Sequence, residues 1–462
     1  MSLGPKVTVY IPSKNYSQFL EQAVRSVFLQ TFQDWRLILI DDGSSDSSFE
    51  IMNRFSMDTR VSVHQLTGLG LPAVANFALN MAESDYFVRL DGDDYMNVHA
   101  LEVLTSVMDQ NPDLDFVFPD YYEVDDEGRL LALQTRSDIS NFDHYRGVPP
   151  HGACTLWRTE NLRFLGGYRE DLKGQDGLDV WIKGNKKERF TNVPLPLFYY
   201  RKHERSLTNS KLLISNARRS LKLAEVSKIQ SKPKVTAIIP CRSKYDFVPN
   251  LWSIEIAGKS LLSLSIEACQ RSSLIDQILV LGDDDEIELN ILTIQKKSFG
   301  KKISYIKRET ADTRENIPLV EALKEYVENN SEIVNGIVLI KQLQAPFVSE
   351  LDINELISTL ILDESESSAL VSRIDWTVLS RNRYGLQVVY ERNFISTNME
   401  RFFEYRNSVM ASWGRNFKRS SMWGKSTTYI EGDYLSNFII ENQSQIELAE
   451  ILGNRFKNVD SK

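Results

Sequence analysis

Pro5-Lys6-Val7-Thr8-Val9-Tyr10-Ile11-Pro12 returns, with small changes, as Pro233-Lys234-Val235-Thr236-Ala237-Ile238-Ile239-Pro240. Each is a short β-branched run closed by proline, the pattern of a buried parallel strand ending at a loop. Each leads through a helical stretch to a second apolar strand that ends in acids. The first copy gives Leu37-Ile38-Leu39-Ile40-Asp41-Asp42-Gly43, the second Ile278-Leu279-Val280-Leu281-Gly282-Asp283-Asp284. Alternating strand and helix signals predict an α/β fold with mostly parallel sheets. Two such starts, at Pro5 and Pro233, predict two domains of this kind.

The rest of the chain sets bounds on that reading. Its 462 residues suit two or three domains. Apolar residues make up 42% and charged residues 25%, which excludes disordered, collagen-like and coiled-coil chains. A net charge of −9 excludes bulk attraction to nucleic acid. Cys154, Cys241 and Cys269 are odd in number and widely spaced, against a disulfide framework or structural zinc site and in keeping with a reducing cytosol. No apolar run nears the ~18 residues of a membrane span. The N-terminus shows no signal peptide, and Met1-Ser2-Leu3 reads as an expression leader.

We expect domains at residues 1–208 and 233–462, joined by a basic helical linker over 209–232. Residues 209–234 carry seven Lys or Arg against the single acid Glu225, with Leu213, Ala217, Leu221 and Ala224 at helical spacing. Such a helix either packs on one domain with its basic face in solvent or offers a peripheral contact to anionic lipid.

In open α/β sheets, ligands bind beyond the carboxyl ends of the strands. In the first domain those ends carry Pro12-Ser13-Lys14-Asn15, then Asp41-Asp42-Gly43-Ser44-Ser45-Asp46, then Asp91-Gly92-Asp93-Asp94. Asp-Gly clusters also make turns and helix caps, and one alone would be read that way. Three in this order are a site. Carboxylates at Asp91 and Asp93 can converge on one hard cation, Mg²⁺ or Mn²⁺, leaving coordination open for a diphosphate.

Together with Ser26-Val27-Phe28-Leu29-Gln30-Thr31-Phe32, these segments resemble a family 2 glycosyltransferase of GT-A fold. Gly166-Gly167-Tyr168-Arg169-Glu170, followed by Gly174-Gln175-Asp176-Gly177-Leu178-Asp179-Val180-Trp181, is similar to the family's acidic segment before an aromatic-rich helix. Tyr200-Arg201-Lys202-His203-Glu204-Arg205-Ser206-Leu207-Thr208 is similar to its closing segment.

The resemblance implies a role for each position. Pro12, Ser13 and Asn15, with one or both of Asp41 and Asp42, would hold the donor's base and ribose. Asp91 and Asp93 (the DXD motif), with Asp94, would bind the metal and the donor's ribose and diphosphate. Arg201 and His203 would lie near the diphosphate or metal. Asp176 would be the general base, with Asp179 and then Asp171 as alternatives.

Such a base is worth ~10²–10⁴ in rate, or roughly 3–5 kcal/mol. A carboxylate is a weak base in water, so Asp176 requires a partly desolvated site. The resemblance also implies inversion at the anomeric carbon. His151 is a candidate for facing the acceptor. His64, His99 and His144 receive no functional reading, and Trp157 and Trp181 are read as core. One departure stands out. The family often has Ala-Arg-Asn before the metal strand, and here the segment is Val74-Ala75-Asn76; Arg89 is the candidate replacement for that charge.

Residues 233–462 resemble cytidylyltransferases of the CMP-sialic acid synthetase type. The resemblance runs through Ile238-Ile239-Pro240-Cys241-Arg242-Ser243-Lys244, Gln342-Leu343-Gln344-Ala345-Pro346-Phe347 and Ile446-Glu447-Leu448-Ala449-Glu450. The likeness fails where chemistry would sit. The opening loop lacks its two glycines, and the metal acids fall at Ile439 and Glu441, with a third at Gln445. An isoleucine ligates no cation.

The expectation is therefore an inverting, metal-dependent glycosyltransferase of hexosyltransferase type with an inactive second domain. It would use a nucleotide-sugar donor, UDP-linked by default, and a carbohydrate or lipid-linked acceptor for surface polysaccharide or glycoconjugate. The acceptor side would be built around residues 121–155. The protein would be cytoplasmic, at or near the inner membrane face, and homo-oligomeric through the second domain. The alternatives are a bifunctional enzyme that activates and transfers a sugar acid, and a non-catalytic scaffold.

Overall fold

The computed structural model describes residues 4–136, 152–172, 176–185, 189–204, 211–245, 247–297, 302–308, 318–374, 377–382, 385–390 and 402–459. His144, His151, Gly174, Gln175, Arg205–Thr208 and much of the expected acceptor side lie outside these residues. The chain divides into two compact units, Met1–Leu221 and Lys222–Lys462, and the division falls inside a helix, Lys211–Ser227.

The first unit begins with β1 (Val7–Ser13), α1 (Ser17–Phe28), β2 (Trp35–Asp41), α2 (Ser48–Asn53), β3 (Val61–Gln65) and α3 (Leu71–Met81). It continues with β4 (Tyr86–Arg89), β5 (Tyr95–Met96), α4 (Ala100–Gln110), β6 (Phe116–Val124) and β7 (Leu130–Gln134). It ends with β8 (Leu156–Arg158), α5 (Thr159–Phe164), α6 (Asp176–Asn185), β9 (Phe190–Arg201) and α7 (Lys211–Ser227).

The strand order is β3-β2-β1-β4-β8-β6-β9-β5, with β7 paired to β6. From β3 to β4 every pairing is parallel. Beyond β4 the sheet becomes mixed, with β8 antiparallel to both β4 and β6.

Alternation along the strands explains the layers. Val7, Val9 and Ile11 of β1 face a core shared with α1, α2 and α4. Tyr10, on the opposite side, joins a second core with α3, α6 and the α7 residues Ala217 and Leu221. A sheet buried on both faces is what continuous β-branched runs specify. Trp157 and Trp181 lie in the second of these cores.

The order reverses between β1 and β4, which opens the crevice where ligands of such sheets bind. Pro12-Ser13 and Asp91-Gly92-Asp93 border it from the two strand ends. Gly92 sits close against the other strand end: a Cβ would stand 3.1 Å from the Pro12 carbonyl oxygen and from the Ser13 Cβ.

The second unit repeats the plan. Its sheet runs Lys302–Lys307, Gln277–Gly282, Val235–Pro240, Ile337–Lys341, Val409–Trp413, Ser367–Arg373 and Phe403–Glu404, with Thr427–Glu431 also pairing Ser367–Arg373. The first four strands are parallel. The two α/β cores expected from the sequence echo are present. The three cysteines are buried and free. Among the described residues no helix is long and apolar enough to cross a membrane.

Lys341 is buried at the end of its strand, where its ammonium donates to the carbonyls of Gln342 (2.9 Å) and Ala345 (2.6 Å). Burial holds its pKa down to about 8, against 10.5 for a free lysine. Unfolding restores the usual value, so between these pH limits the unfolded chain binds more protons and stability rises with pH. The denaturation midpoint of the full chain should climb by the equivalent of roughly 3 kcal/mol from pH ~8 to ~10.5. In Lys341→Met that climb should be absent; an unchanged profile would refute the assignment.

Candidate active site

Asp41 ends β2 with no exposed surface. Its Oδ2 accepts from the Ser44 amide (3.2 Å) and the Gln65 side chain (3.3 Å), while Oδ1 is buried without a partner. Ser13 Oγ is also buried and unpartnered. Both point to a polar ligand at the ends of β1 and β2, since buried polar atoms are ordinarily satisfied. Asn15 has a left-handed backbone (φ 62°) and ties the two loops together. Its Oδ1 accepts from the Ser45 amide at 2.7 Å, and its own amide donates to Ser44 Oγ at 2.9 Å.

Asp42 is engaged by the neighbouring loop. Its two oxygens accept the amides of Leu69 (2.7 Å) and Gly70 (2.9 Å), so it shapes the loop before α3.

The loop after β4 gathers the other carboxylates. Asp91 faces Arg89, with Nε 3.0 Å from Oδ1 and Nη2 3.4 Å from Oδ2. Burial, opposed by Arg89 and assisted by Asp93 and Asp176, pushes the Asp91 carboxyl up to about 6. Asp93 Oδ2 lies 2.9 Å from His203 Nε2. The imidazole is in turn fixed by Tyr16 and Phe19, with ring centroids 5.5 and 5.2 Å away.

Asp94 and Arg201 meet at the base of this loop. Asp94 Oδ1 accepts the Arg201 amide at 2.9 Å, and burial raises its carboxyl well above the carboxylate range. Its Oδ2 is buried without a partner, as Asp41 Oδ1 is. Arg201 donates to the carbonyls of Asp93 (2.9 Å), Asp125 (2.9 Å) and Asp126 (2.7 Å), and to Gln22 Oε1 (2.7 Å). With its guanidinium 4.5 Å from the Phe19 ring centroid, it ties the acidic loop to β6 and α1. It thereby positions the acidic loop.

Asp176 opens α6 and is 5% exposed, the desolvated setting its proposed role requires. Its Oδ2 accepts from Arg89 Nη1. Asp179 is engaged elsewhere: Oδ2 receives Lys183 Nζ at 2.7 Å and the Arg169 amide at 3.1 Å. Asp171 pairs with Arg169 at the surface. Of the three acids weighed as base, the structure brings only Asp176 to the guanidinium shared with Asp91.

The sequence did not reveal what holds α6 in place. Asn76 Oδ1 accepts the Tyr168 amide (2.9 Å), and Nδ2 donates to the Tyr168 carbonyl (2.8 Å) and to Glu170 (2.8 Å). The signal was the pair of glycines, Gly166 and Gly167, both at positive φ. A Cβ on Gly167 would stand 2.6 Å from Asn76 Oδ1. Asn76→Ala removes both backbone bonds and should destabilise the fold by about 1–3 kcal/mol. A denaturant midpoint equal to wild type would show that the latch is not needed.

Among the described residues no three His, Cys, Asp or Glu side chains already converge as metal ligands. The donor set is nevertheless of the right kind. Asp91 and Asp93 are hard carboxylates, and the imidazole beside them suits Mn²⁺ as well. A separate cavity of about 700 Å³ runs along α1 and β5, lined by Gln22, Arg25, Tyr95 and Tyr199, and none of the site carboxylates lines it.

In the second unit, the positions expected for metal acids do structural work. Ile439 is buried in the main core. Glu441 is 3.5 Å from Arg406, and its amide donates to Gln445 Oε1 at 2.5 Å. Asp283 receives the Ser243 amide at 2.8 Å and its hydroxyl at 3.2 Å.

Residues 8–167 match the family model described as Glycosyl transferase family 2. The glycosyltransferase GlyG of Streptococcus pneumoniae serotype 4 is 34% identical over 136 residues, 29% of this chain and 45% of that protein. The chain thus spans about half the length of that relative. EpsE of Bacillus subtilis, also named a glycosyltransferase, is 27% identical over 260 residues, 52% of this chain and 92% of that protein. Among solved structures, Staphylococcus aureus TarS in complex with UDP-GlcNAc aligns over 86% of this chain and 99% of that one, at 14% identity and a TM-score of 0.42.

Proposed function

We propose that this protein is a metal-dependent glycosyltransferase that moves a sugar from a nucleotide-sugar to a hydroxyl acceptor. The observation that carries the reading is the gathering of Asp91, Asp93, His203 and Asp176 at the carboxyl ends of the parallel strands, within and just beyond the family 2 match. Asp91, Asp93 and His203 would hold Mg²⁺ or Mn²⁺. When bound, the cation supplies positive charge for the departing diphosphate. The unpartnered Asp41 Oδ1 and Ser13 Oγ would bind the polar edges of the donor's base or ribose.

Arg89 engages Asp176 through Oδ2, so Oδ1 is the oxygen that would take the acceptor's proton. Direct attack by that hydroxyl, with the nucleoside diphosphate leaving from the opposite side, inverts the anomeric carbon. The setting is the assembly of a polysaccharide or glycoconjugate, with UDP the first nucleotide to try.

The second unit is proposed to be a nucleotidyltransferase-type fold without the transfer reaction, a reading supported by the buried Ile439 and the engaged Asp283.

The test is release of nucleoside diphosphate from UDP-, GDP- and dTDP-sugars, and of CMP from CMP-sugars, by the full chain with Mn²⁺. Release from one donor, stopped by EDTA, is expected. No release from any donor would overturn the reading. Pyrophosphate release from CTP, a sugar acid and Mg²⁺ would overturn the inactive second unit.

A further inference from the structure

We infer that Arg89 is a positioning residue with two partners: it fixes the base carboxylate Asp176, and it holds Asp91 off the cation until the donor's cation takes it. The inference rests on the function proposed above. The guanidinium is 7% exposed. Nη2 donates to Asp91 Oδ2 at 3.4 Å, and Nε stands 3.0 Å from Oδ1 as an ion pair without hydrogen-bond alignment, so both oxygens of that carboxylate lie beside the arginine. Nη1 donates to Asp176. The forked geometry of a guanidinium permits this double engagement, which a single ammonium cannot reproduce.

The guanidinium packs against Gly152: a Cβ there would stand 2.6 Å from Nη2 and would push the tip of the arginine aside. The adjoining cavity, lined in part by Gly152, Tyr168 and Trp181, measures about 10 Å³. That is space for one water at most. What can change is therefore the set of carboxylates the guanidinium holds. A cation arriving with a diphosphate competes for Asp91. Asp176 has no such competitor and stays bound.

The surrounding helix adds no alternative charge. Helix α3 carries no Lys or Arg, and Ala75, on the turn facing this layer, is fully buried. Arg89, two residues before Asp91, reaches Asp176 from 87 residues away in sequence.

The test is Mn²⁺ binding to the donor-free full chain by calorimetry, with steady-state turnover, in wild type, Arg89→Gln, Arg89→Lys and Gly152→Ala. Arg89→Gln removes the competitor for Asp91, and Mn²⁺ should bind about tenfold tighter. Its kcat should nevertheless fall about 10–100-fold, as for lost outer-shell partners, with donor KM little changed. Arg89→Lys keeps the charge without the fork. Its Mn²⁺ affinity should stay near wild type while kcat remains low.

Gly152→Ala keeps the arginine but pushes its tip. It should tighten Mn²⁺ and lower kcat in a folded protein, so the inference stays testable where Arg89→Gln fails to fold. Wild-type Mn²⁺ binding with no tightening in Arg89→Gln or Gly152→Ala would overturn this inference alone. No Mn²⁺ binding by wild type, with or without donor, would overturn the metal reading and this inference with it.

Discussion

Asp176→Asn is expected to lower turnover by about 10²–10⁴ while leaving donor affinity near wild type. Asparagine keeps the shape and can still accept from Arg89, so α6 should hold its place. What it loses is the carboxylate oxygen that, in the proposed mechanism, would take the acceptor's proton. The matched control is Asp179→Asn. Asp179 is bound to Lys183 and to the Arg169 amide, so weakening it should lower stability more than turnover. If Asp179→Asn gave the larger fall in kcat in a protein of wild-type stability, the base would have to be reassigned.

The second large effect is expected from Asp93→Ala. Asp93 faces the His203 imidazole at 2.9 Å, so its loss removes a cation ligand and releases the histidine from its partner. Loss of an outer-shell partner alone commonly costs ~10–100-fold in metal affinity, and a direct ligand should cost at least the upper end of that range. Metal-dependent donor binding should therefore drop by about 10²-fold or more. Folding should be less affected, because Asp94 and Arg201 carry the frame of the loop. Calorimetric titration of donor with Mn²⁺ reads the difference. An unchanged affinity would remove Asp93 from the metal site.

The residues explain which parts of this architecture could be read in advance. The paired starts at Pro5 and Pro233 were legible because a strand buried on both faces must be apolar along its length, and both strands are. The acidic loops were legible because sheet topology places strand ends in one crevice.

How each acid is used was not legible. Asp41 and Asp42 are neighbours in sequence, yet one keeps an oxygen buried and unpartnered while the other gives both oxygens to loop amides. Arg201 donates to backbone carbonyls of the turn after β6. Such choices depend on which backbone groups a loop leaves unsatisfied, and sequence spacing does not carry that information. The Arg89–Asp176 and Asn76–Tyr168 contacts join residues 87 and 92 positions apart, beyond any local signal. In the second unit the reverse held. Ile439 cannot be a cation ligand whatever the fold, and its side chain is spent on the core.

The most direct measurement is calorimetry of the full chain with UDP-, GDP-, dTDP- and CMP-linked sugars, each with and without Mn²⁺. Binding of one donor that requires Mn²⁺ and is lost in Asp93→Ala is the expected result. Metal-independent binding that survives Asp93→Ala would contradict the placement of the donor on the first unit's acidic loop.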